Sequence, residues 1–298
     1  MGQSLIRALR EGGAAHAGAA DAGAAHAAAA DAGAAHAGAT AVADSAAGNL
    51  KLSGALASPG SKSLGLDAAL EGAPSGVPIT ADIREALKGA DVAIEFSVGE
   101  AVIDHARACA QSGVPLLVGT TGLPDSAREA LRGLARNIPV LVAANTSVGL
   151  TVVAQLARIA TAALGPEFDV EILEAHHRDK RDAPSGTARL LGEAVAEARG
   201  RPLTDLAVYG RHGLDAPRRE GSIGFSVVRG GDIIGEHTLV FAAAGERVEI
   251  SHRVGDRQIF ARGALKAAAW LIGRPAGLYG MENVLNDEIG IDSKRAHR

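Results

Sequence analysis

Apolar and polar positions follow one rhythm in the first half of this chain and a different one in the second. Residues 1–12 place Leu5, Ile6 and Leu9 on one helical face, and no strand precedes them. From Leu50 onward, short apolar runs at Leu50–Leu56, Val92–Phe96, Pro115–Val118 and Pro139–Ala143 alternate with helical patterns around Ala81–Lys88, Glu100–Gln111 and Asp125–Arg136. Such alternation predicts an α/β fold with a doubly wound parallel sheet, which binds its ligands at the carboxyl ends of the strands. Phe168 to Glu174 then alternates apolar and acidic residues, as a half-buried strand does. A helix follows, with Leu190, Leu191, Ala194, Val195 and Ala198 on one stripe and a stop at Gly200. Beyond it Ser222–Val228, Glu236–Phe241 and Arg247–His252 read as strands of a meander, separated by turns at Gly230-Gly231 and Ala244-Gly245. The expectation is a first domain over 1–147, an inserted α+β domain with a mainly antiparallel sheet over 148–257, and a return to the first domain over 258–298. The helical pattern Ala264–Ile272, with Trp270, carries that return.

Between the first helix and Leu50 lies a low-complexity repeat, residues 14–39, in which His16, His26 and His36 recur with Asp21 and Asp31 midway. A metal-binding stripe is the tempting interpretation. On a helix, ten residues advance the face by roughly 1000°, which leaves successive histidines about 80° apart. They share no face, and Gly18, Gly23, Gly33 and Gly38 weaken a continuous helix. The segment is expected to be a solvated insertion, with no metal site.

Composition narrows the classes. A chain of 298 residues with 47% hydrophobic content builds a sizeable core, which aromatics at 3% make aliphatic. A net charge of −4 gives no electrostatic case for nucleic acid or an anionic membrane. No apolar run suggests a membrane span, and the start lacks the pattern of a secretory signal. The single cysteine, Cys109, sits in an apolar helical pattern with Ile103, Ala106 and Ala110, so a packed thiol in a reducing cytosol is expected.

Candidate chemistry concentrates in Glu174 to Thr187. Two imidazoles, His176 and His177, and the cations Arg178, Lys180 and Arg181 stand where the strand ends, and Pro184-Ser185-Gly186-Thr187 opens the helix. Pro184 suits a first helical turn. Free amides around Ser185, Gly186 and Thr187, aided by the helix dipole, are expected to hold a carboxylate. Lys180 and one histidine supply counter-charge. The competing reading is a solvated basic loop capped by Ser185. Glu174 reads as an ion-pair partner of Arg178 or Lys180, His237 and His252 as hydrogen-bonded framework residues, and Asn145 as a simple turn former.

This run resembles the signature of the dihydrodipicolinate reductase family: Glu-(Leu/Ala)-His-His, then Lys-x-Asp-Ala-Pro-Ser-Gly-Thr-Ala, each position of which is met between Glu174 and Ala188. Gly119-Thr-Thr-Gly122, Ala143-Ala-Asn145 with Ser147-Val-Gly149, and Arg229 through Thr238 also match, so the similarity extends from about Leu50 to the C-terminal region. The resemblance implies a Rossmann-like nucleotide domain with an inserted substrate domain whose sheets pair between subunits into a homotetramer. It implies NAD(P)H-dependent reduction of a small cyclic dicarboxylate, 4-hydroxy-tetrahydrodipicolinate, to tetrahydrodipicolinate in cytoplasmic lysine and diaminopimelate biosynthesis. By the match His176 is the proton donor and Lys180 its partner. His177, Ser185, Gly186 and Thr187 bind substrate. Gly119, Thr120, Thr121, Ala143, Ala144, Asn145 and Thr146 line the nicotinamide side. Thr146 stands where relatives often carry an aromatic residue, and Phe96 is expected to pack there instead.

Two departures stand out. The resemblance implies a first strand ending in Gly-x-x-Gly-Arg-Met-Gly, whereas this chain opens at Met1-Gly2 and runs directly into the helix. A sheet without that middle strand is expected to expose two unpaired edges and lose its pyrophosphate donors. An internal methionine taken as the start accounts for this, and in-frame DNA upstream of Met1 tests it. The alternative is a truncated, catalytically impaired relative that binds dicarboxylate without reducing it. A third class, a related dehydrogenase acting on an amino acid, is opposed by the Asp-Ala-Pro-Ser-Gly-Thr run. The second departure follows Leu56, where no carboxylate awaits a ribose. Ser58, Ser61 and Lys62 stand there instead, which favours NADPH over NADH or dual use.

Overall fold

A computed structural model of the chain describes residues 1–14, 37–43, 50–214 and 217–290. The elements run α1 (Gly2–Ala14), β1 (Ala37–Ala43), β2 (Lys51–Ala57), β3 (Ile79–Thr80), α2 (Ile83–Ala86), β4 (Val92–Glu95), α3 (Val102–Ser112), β5 (Leu116–Val118), α4 (Asp125–Leu134) and β6 (Pro139–Val142). Then come α5 (Val148–Leu164), β7 (Asp169–His176), α6 (Gly186–Ala198), α7 (Leu203–Leu206), β8 (Ala207–Val208), β9 (Ile223–Arg229), β10 (Glu236–Ala243) and β11 (Glu246–Arg253). Last are α8 (Gln258–Leu271), β12 (Gly277–Tyr279) and α9 (Met281–Glu288). Two compact units result, one formed by 1–146 with 260–298 and the other by 147–259.

The first unit is a seven-stranded sheet in the order β12-β6-β5-β4-β1-β2-β3. Six strands run one way; β1 runs antiparallel to both neighbours, with Thr40 opposite Ile94 and Ala41 opposite Gly54. This corrects the expectation that the sheet lacks its middle strand and exposes two unpaired edges. Unsatisfied ladder groups on β2 and β4 accept a strand of either direction. A segment of small residues with β-branched Thr40 and Val42 is able to extend between them. Residues 37–39, assigned above to the solvated insertion, belong to this strand. The histidine and aspartate repeat at 16–36 lies outside the described residues.

Central strands of this sheet are buried end to end: Val92, Ala93, Ile94, Leu116, Leu117 and Val118 are fully enclosed, as expected of parallel strands covered on both faces. Helices α3 and α4 bring Val102, Ala106, Cys109, Ala127 and Leu131 onto Ala93, Leu116 and Val140. Burying a leucine such as Leu131 stabilises by about 1.5–3 kcal/mol. Burial also pushes the Cys109 thiol up to about 12, so it is an unreactive packing group.

The second unit holds a five-stranded sheet in the order β11-β10-β7-β9-β8. The anticipated meander is not formed, because β7 lies between β9 and β10, parallel to the first and antiparallel to the second. Local patterning marks strands but does not specify which of them become neighbours. On one face Val170, Ile172, Ile223, Phe225, Leu239 and Phe241 pack beneath Leu150, Val153, Leu191 and Val195 of α5 and α6. On the other face Leu173 and Val228 remain exposed.

Candidate active site

The buried face of β7 changes character along its length. Val170 and Ile172 are apolar, and two residues on, with the strand's period of two, come Glu174 and His176. Register supplies their company: Glu174 pairs with His237 on β10, and His176 with Arg229 on β9. An apolar core thus ends in a row of ionisable groups at the carboxyl end of the central strand.

Glu174, 2% exposed, is the hub of that row. Its Oε2 meets His176 Nδ1 at 2.6 Å, and the Arg229 guanidinium donates to both carboxylate oxygens, at 2.7 and 2.8 Å. The Ser185 amide donates to Oε1 at 3.0 Å. Burial pushes the Glu174 carboxyl up, but the bonds from Arg229, His176 and Ser185 outweigh it and hold the group below its ordinary value. This replaces the expected pairing of Glu174 with Arg178 or Lys180. For His176 the balance goes the other way. Burial lowers its pKa, Glu174 opposes the fall, and Lys180 and Arg229 add to it, so it lies below 6.5.

Ser185 caps α6 by accepting from the Ala188 amide at 3.1 Å, and its hydroxyl meets His237 Nε2 at 3.0 Å. His237, 4% exposed, is driven by burial to about 3 and is neutral at physiological pH. It stands edge-on to His176 with centroids 5.1 Å apart. His252 Nε2 reaches the Ser147 hydroxyl at 3.4 Å. Each imidazole thus meets the hydroxyl that caps a helix, His237 that of α6 and His252 that of α5.

Structure also corrects the picture of three free amides at the helix start. Pro184 precedes the cap instead of opening the helix, since α6 begins at Gly186. The Ser185 amide is engaged by Glu174, and the Gly186 amide helps hold the Asp182 carboxylate. Lys180 Nζ donates to Asp182 Oδ1 at 2.7 Å. Lys180 therefore already has a carboxylate partner, which lies beside an amide of the helix terminus. Just past the end of β7 sits His177, half-buried, its carbonyl accepting from the Lys180 amide. Gly186 is exposed and Thr187 half-buried.

In the other unit, the loops leaving β4, β5 and β6 are stitched together. The Gly119 amide donates to the Glu95 carbonyl, the Ala143 amide to the Val118 carbonyl, and Thr120 Oγ1 to the Ser97 carbonyl. A methyl on Gly119 would stand 2.1 Å from the Phe96 ring, so glycine there admits the aromatic plane against the backbone. Thr121 and Ala144 are exposed on this rim, Asn145 is half-buried, and Ala143 is buried. Thr146 is also buried, its hydroxyl committed to the Phe260 carbonyl at 2.6 Å. Ligands of open parallel sheets bind outside such strand ends. Beyond β2, Ser58 and Lys62 are exposed in a turn closed by the Ser61 amide on the Ser58 carbonyl.

Arg229 and the linking role of Glu174 escaped the sequence reading. The spacing Glu174-x-His176 on a strand was a usable signal, since it puts both side chains on one face. Arg229, 55 residues away, left none.

Comparison with known proteins matches residues 36–146 to the family described as dihydrodipicolinate reductase, N-terminus, and residues 149–285 to dihydrodipicolinate reductase, C-terminus. The chain is 49% identical over 242 residues to a 4-hydroxy-tetrahydrodipicolinate reductase of Anaeromyxobacter dehalogenans (strain 2CP-1), covering 80% of this chain and 90% of that protein. It is 50% identical over 232 residues to the enzyme of that name from Thiobacillus denitrificans, covering 78% and 87%. Among solved structures it is similar to a dipicolinate-bound dihydrodipicolinate reductase from Paenisporosarcina sp. TG-14. There the TM-score is 0.57 at 28% identity, over 72% of this chain and 82% of that one.

Proposed function

We infer the reaction from one premise: the chain belongs to the dihydrodipicolinate reductase family. It is a nicotinamide-dependent oxidoreductase that reduces 4-hydroxy-tetrahydrodipicolinate to tetrahydrodipicolinate, a step of lysine and diaminopimelate biosynthesis. Bound NAD(P)H supplies the hydride. The net change adds that hydride and one proton to the substrate and releases its 4-hydroxyl as water.

The observation that carries the site assignment is the buried Glu174–His176 pair at 2.6 Å, beside Lys180 and the α6 cap. Nδ1 of His176 faces Glu174, which leaves Nε2 as the atom that gives up the proton. In the free protein burial keeps His176 below 6.5. A twice-negative ring beside it favours the imidazolium, so the acid is charged when substrate arrives. Lys180 exchanges Asp182 for a substrate carboxylate, while Gly186 and Thr187 hold that carboxylate and His177 and Ser185 flank it. Gly119, Thr120, Thr121, Ala143, Ala144 and Asn145 line the nicotinamide, with Thr146 bracing the segment from beneath.

The unit of residues 1–146 and 260–298 is the dinucleotide-binding part, and 147–259 is the substrate-binding and assembly part. Ser58, Ser61 and Lys62 favour the 2′-phosphate of NADPH over NADH. No helix among the described residues is long and apolar enough to cross a membrane; the proposed location is the cytoplasm. Steady-state assays of the full chain test this reading. His176→Ala is expected to lower turnover ~10² or more, Lys180→Ala to raise KM as well as lower the rate, and KM to be lower for NADPH than for NADH. Unchanged kinetics in either variant removes that residue from the site, and an NADH preference removes the 2′-phosphate assignment.

A further inference from the structure

Two different tasks meet at one carboxylate. Glu174 Oε2 holds His176 Nδ1, while Oε1 accepts the amide of Ser185, the cap of α6. Each oxygen also takes one arm of the Arg229 guanidinium, a bidentate clamp that fixes the plane of the carboxylate. Arg229 is tied down in turn, because Nη2 also donates to the Asp182 carbonyl at 2.7 Å, in the loop that leads to the cap. Three separate chain segments are therefore set by one buried acid and its arginine: the end of β7, the end of β9 and the entry to α6.

We propose that Glu174, clamped by Arg229, is the positioning residue of this site: it fixes the tautomer and orientation of His176 and seats the substrate-binding start of α6. With Nδ1 held as the donor to Glu174, the proton that leaves His176 is the one on Nε2. The imidazole that remains is already the tautomer Glu174 accepts from, so no ring flip is needed before the next proton is taken up. A carboxylate is required because both of its oxygens must accept: the Glu174→Gln amide nitrogen has no acceptor for either the imidazole N–H or the Ser185 N–H.

The groups facing His176 come from every element around it. They are Glu174 on its own strand, Arg229 on β9, His237 on β10 with His252 behind it on β11, and Lys180 and Asp182 in the loop before α6. Their signs give opposite expectations for two variants. Glu174→Gln removes a negative charge in contact with the ring, so the His176 midpoint falls by about one pH unit or more. Arg229→Gln removes a positive charge, so the midpoint rises. Both lower kcat through lost orientation, and both raise KM for the dicarboxylate through the loosened cap. A merely structural role changes thermal stability without moving the midpoint in either direction.

The inference rests on His176 being the proton donor, and its test is read separately from turnover. Nitrogen-15 NMR of the histidine rings in the full-length wild-type chain is expected to show neutral His176 as the Nδ1–H tautomer. The same spectra, followed against pH, are expected to show the downward and upward displacements in the two variants. An Nε2–H tautomer in the wild type overturns the proposal, whether or not the variants fold. So does an unmoved midpoint in a folded Glu174→Gln. Loss of the donor role itself would appear elsewhere, as full turnover in His176→Ala while the wild-type His176 titration still responds to Glu174→Gln.

Discussion

A histidine kept neutral by its surroundings is a debt that falls due in acid. In the folded chain His237 takes a proton only at about 3, whereas in the unfolded chain it does so near 6.5. Between those values the unfolded state binds more protons, so stability rises with pH through the window and falls as pH drops through it, by at most about 1.4 kcal/mol per pH unit. His237→Gln is expected to lose less stability between pH 7 and pH 4.5 than the wild type, read from urea midpoints at both values. Equal losses would mean that His237 is not the group responsible. At this scale the sequence was informative about identity and weak about partnership. His176, Ser185 and His237 were all visible as polar residues in structured segments. Glu174 was visible too, but its partner was sought among Arg178 and Lys180, its neighbours in the chain. The sheet register delivers Arg229 instead, and no local pattern encodes register across 55 residues.

Elements were legible where burial is uniform and obscure where it is not. Strands β5 and β6 show as unbroken apolar runs and β4 as one closed by the buried Glu95, so their limits moved by a residue or so. The first strand is built of alanine, glycine, threonine and valine, and looked like a continuation of the repeat before it. Packing between elements also leaves a mark in single residues. A methyl on Gly54 of β2 would lie 1.9 Å from the backbone oxygen of Ala86, so α2 rests on the bare strand. Gly54→Ala is expected to destabilise by about 1–3 kcal/mol, since backbone on both sides must move. Gly60→Ala, where the added methyl meets nothing within 4 Å, is the control and leaves the thermal midpoint in place. If the two variants melt together, α2 does not bear on β2 as described.

For the whole molecule, the open face of the second sheet is the informative surface. Leu173 at 43% and Val228 at 55% exposure share it with Thr238 and Ser251, whose hydroxyls meet at 2.9 Å. Isolated apolar side chains are ordinary on a surface; the family resemblance is what proposes pairing between copies of the chain as the cover of this face. Light scattering is expected to give four times the 30.0 kDa chain mass. Leu173→Lys is expected to reduce it while leaving the circular dichroism of the fold unchanged. A monomeric wild type would leave this face without its proposed role. The sequence signal for a division into units is the shift from alternating helices and strands to strands alone. The order of strands within the second sheet has no such signal, because that order depends on contacts no short window contains.

The reversed strand carries one last consequence, for chain polarity. Ala37 stands opposite Ala57 and Ala43 opposite Lys51, so β1 enters the sheet at the rim from which β2 and β4 depart. Its own exit lies on the far side, and no helix is able to spring from β1 where a phosphate would want aligned amide dipoles. Among the turns departing at that rim, the one after β2 offers Ser58, Ser61, Lys62 and Ser63 as polar side chains for negative charge resting there.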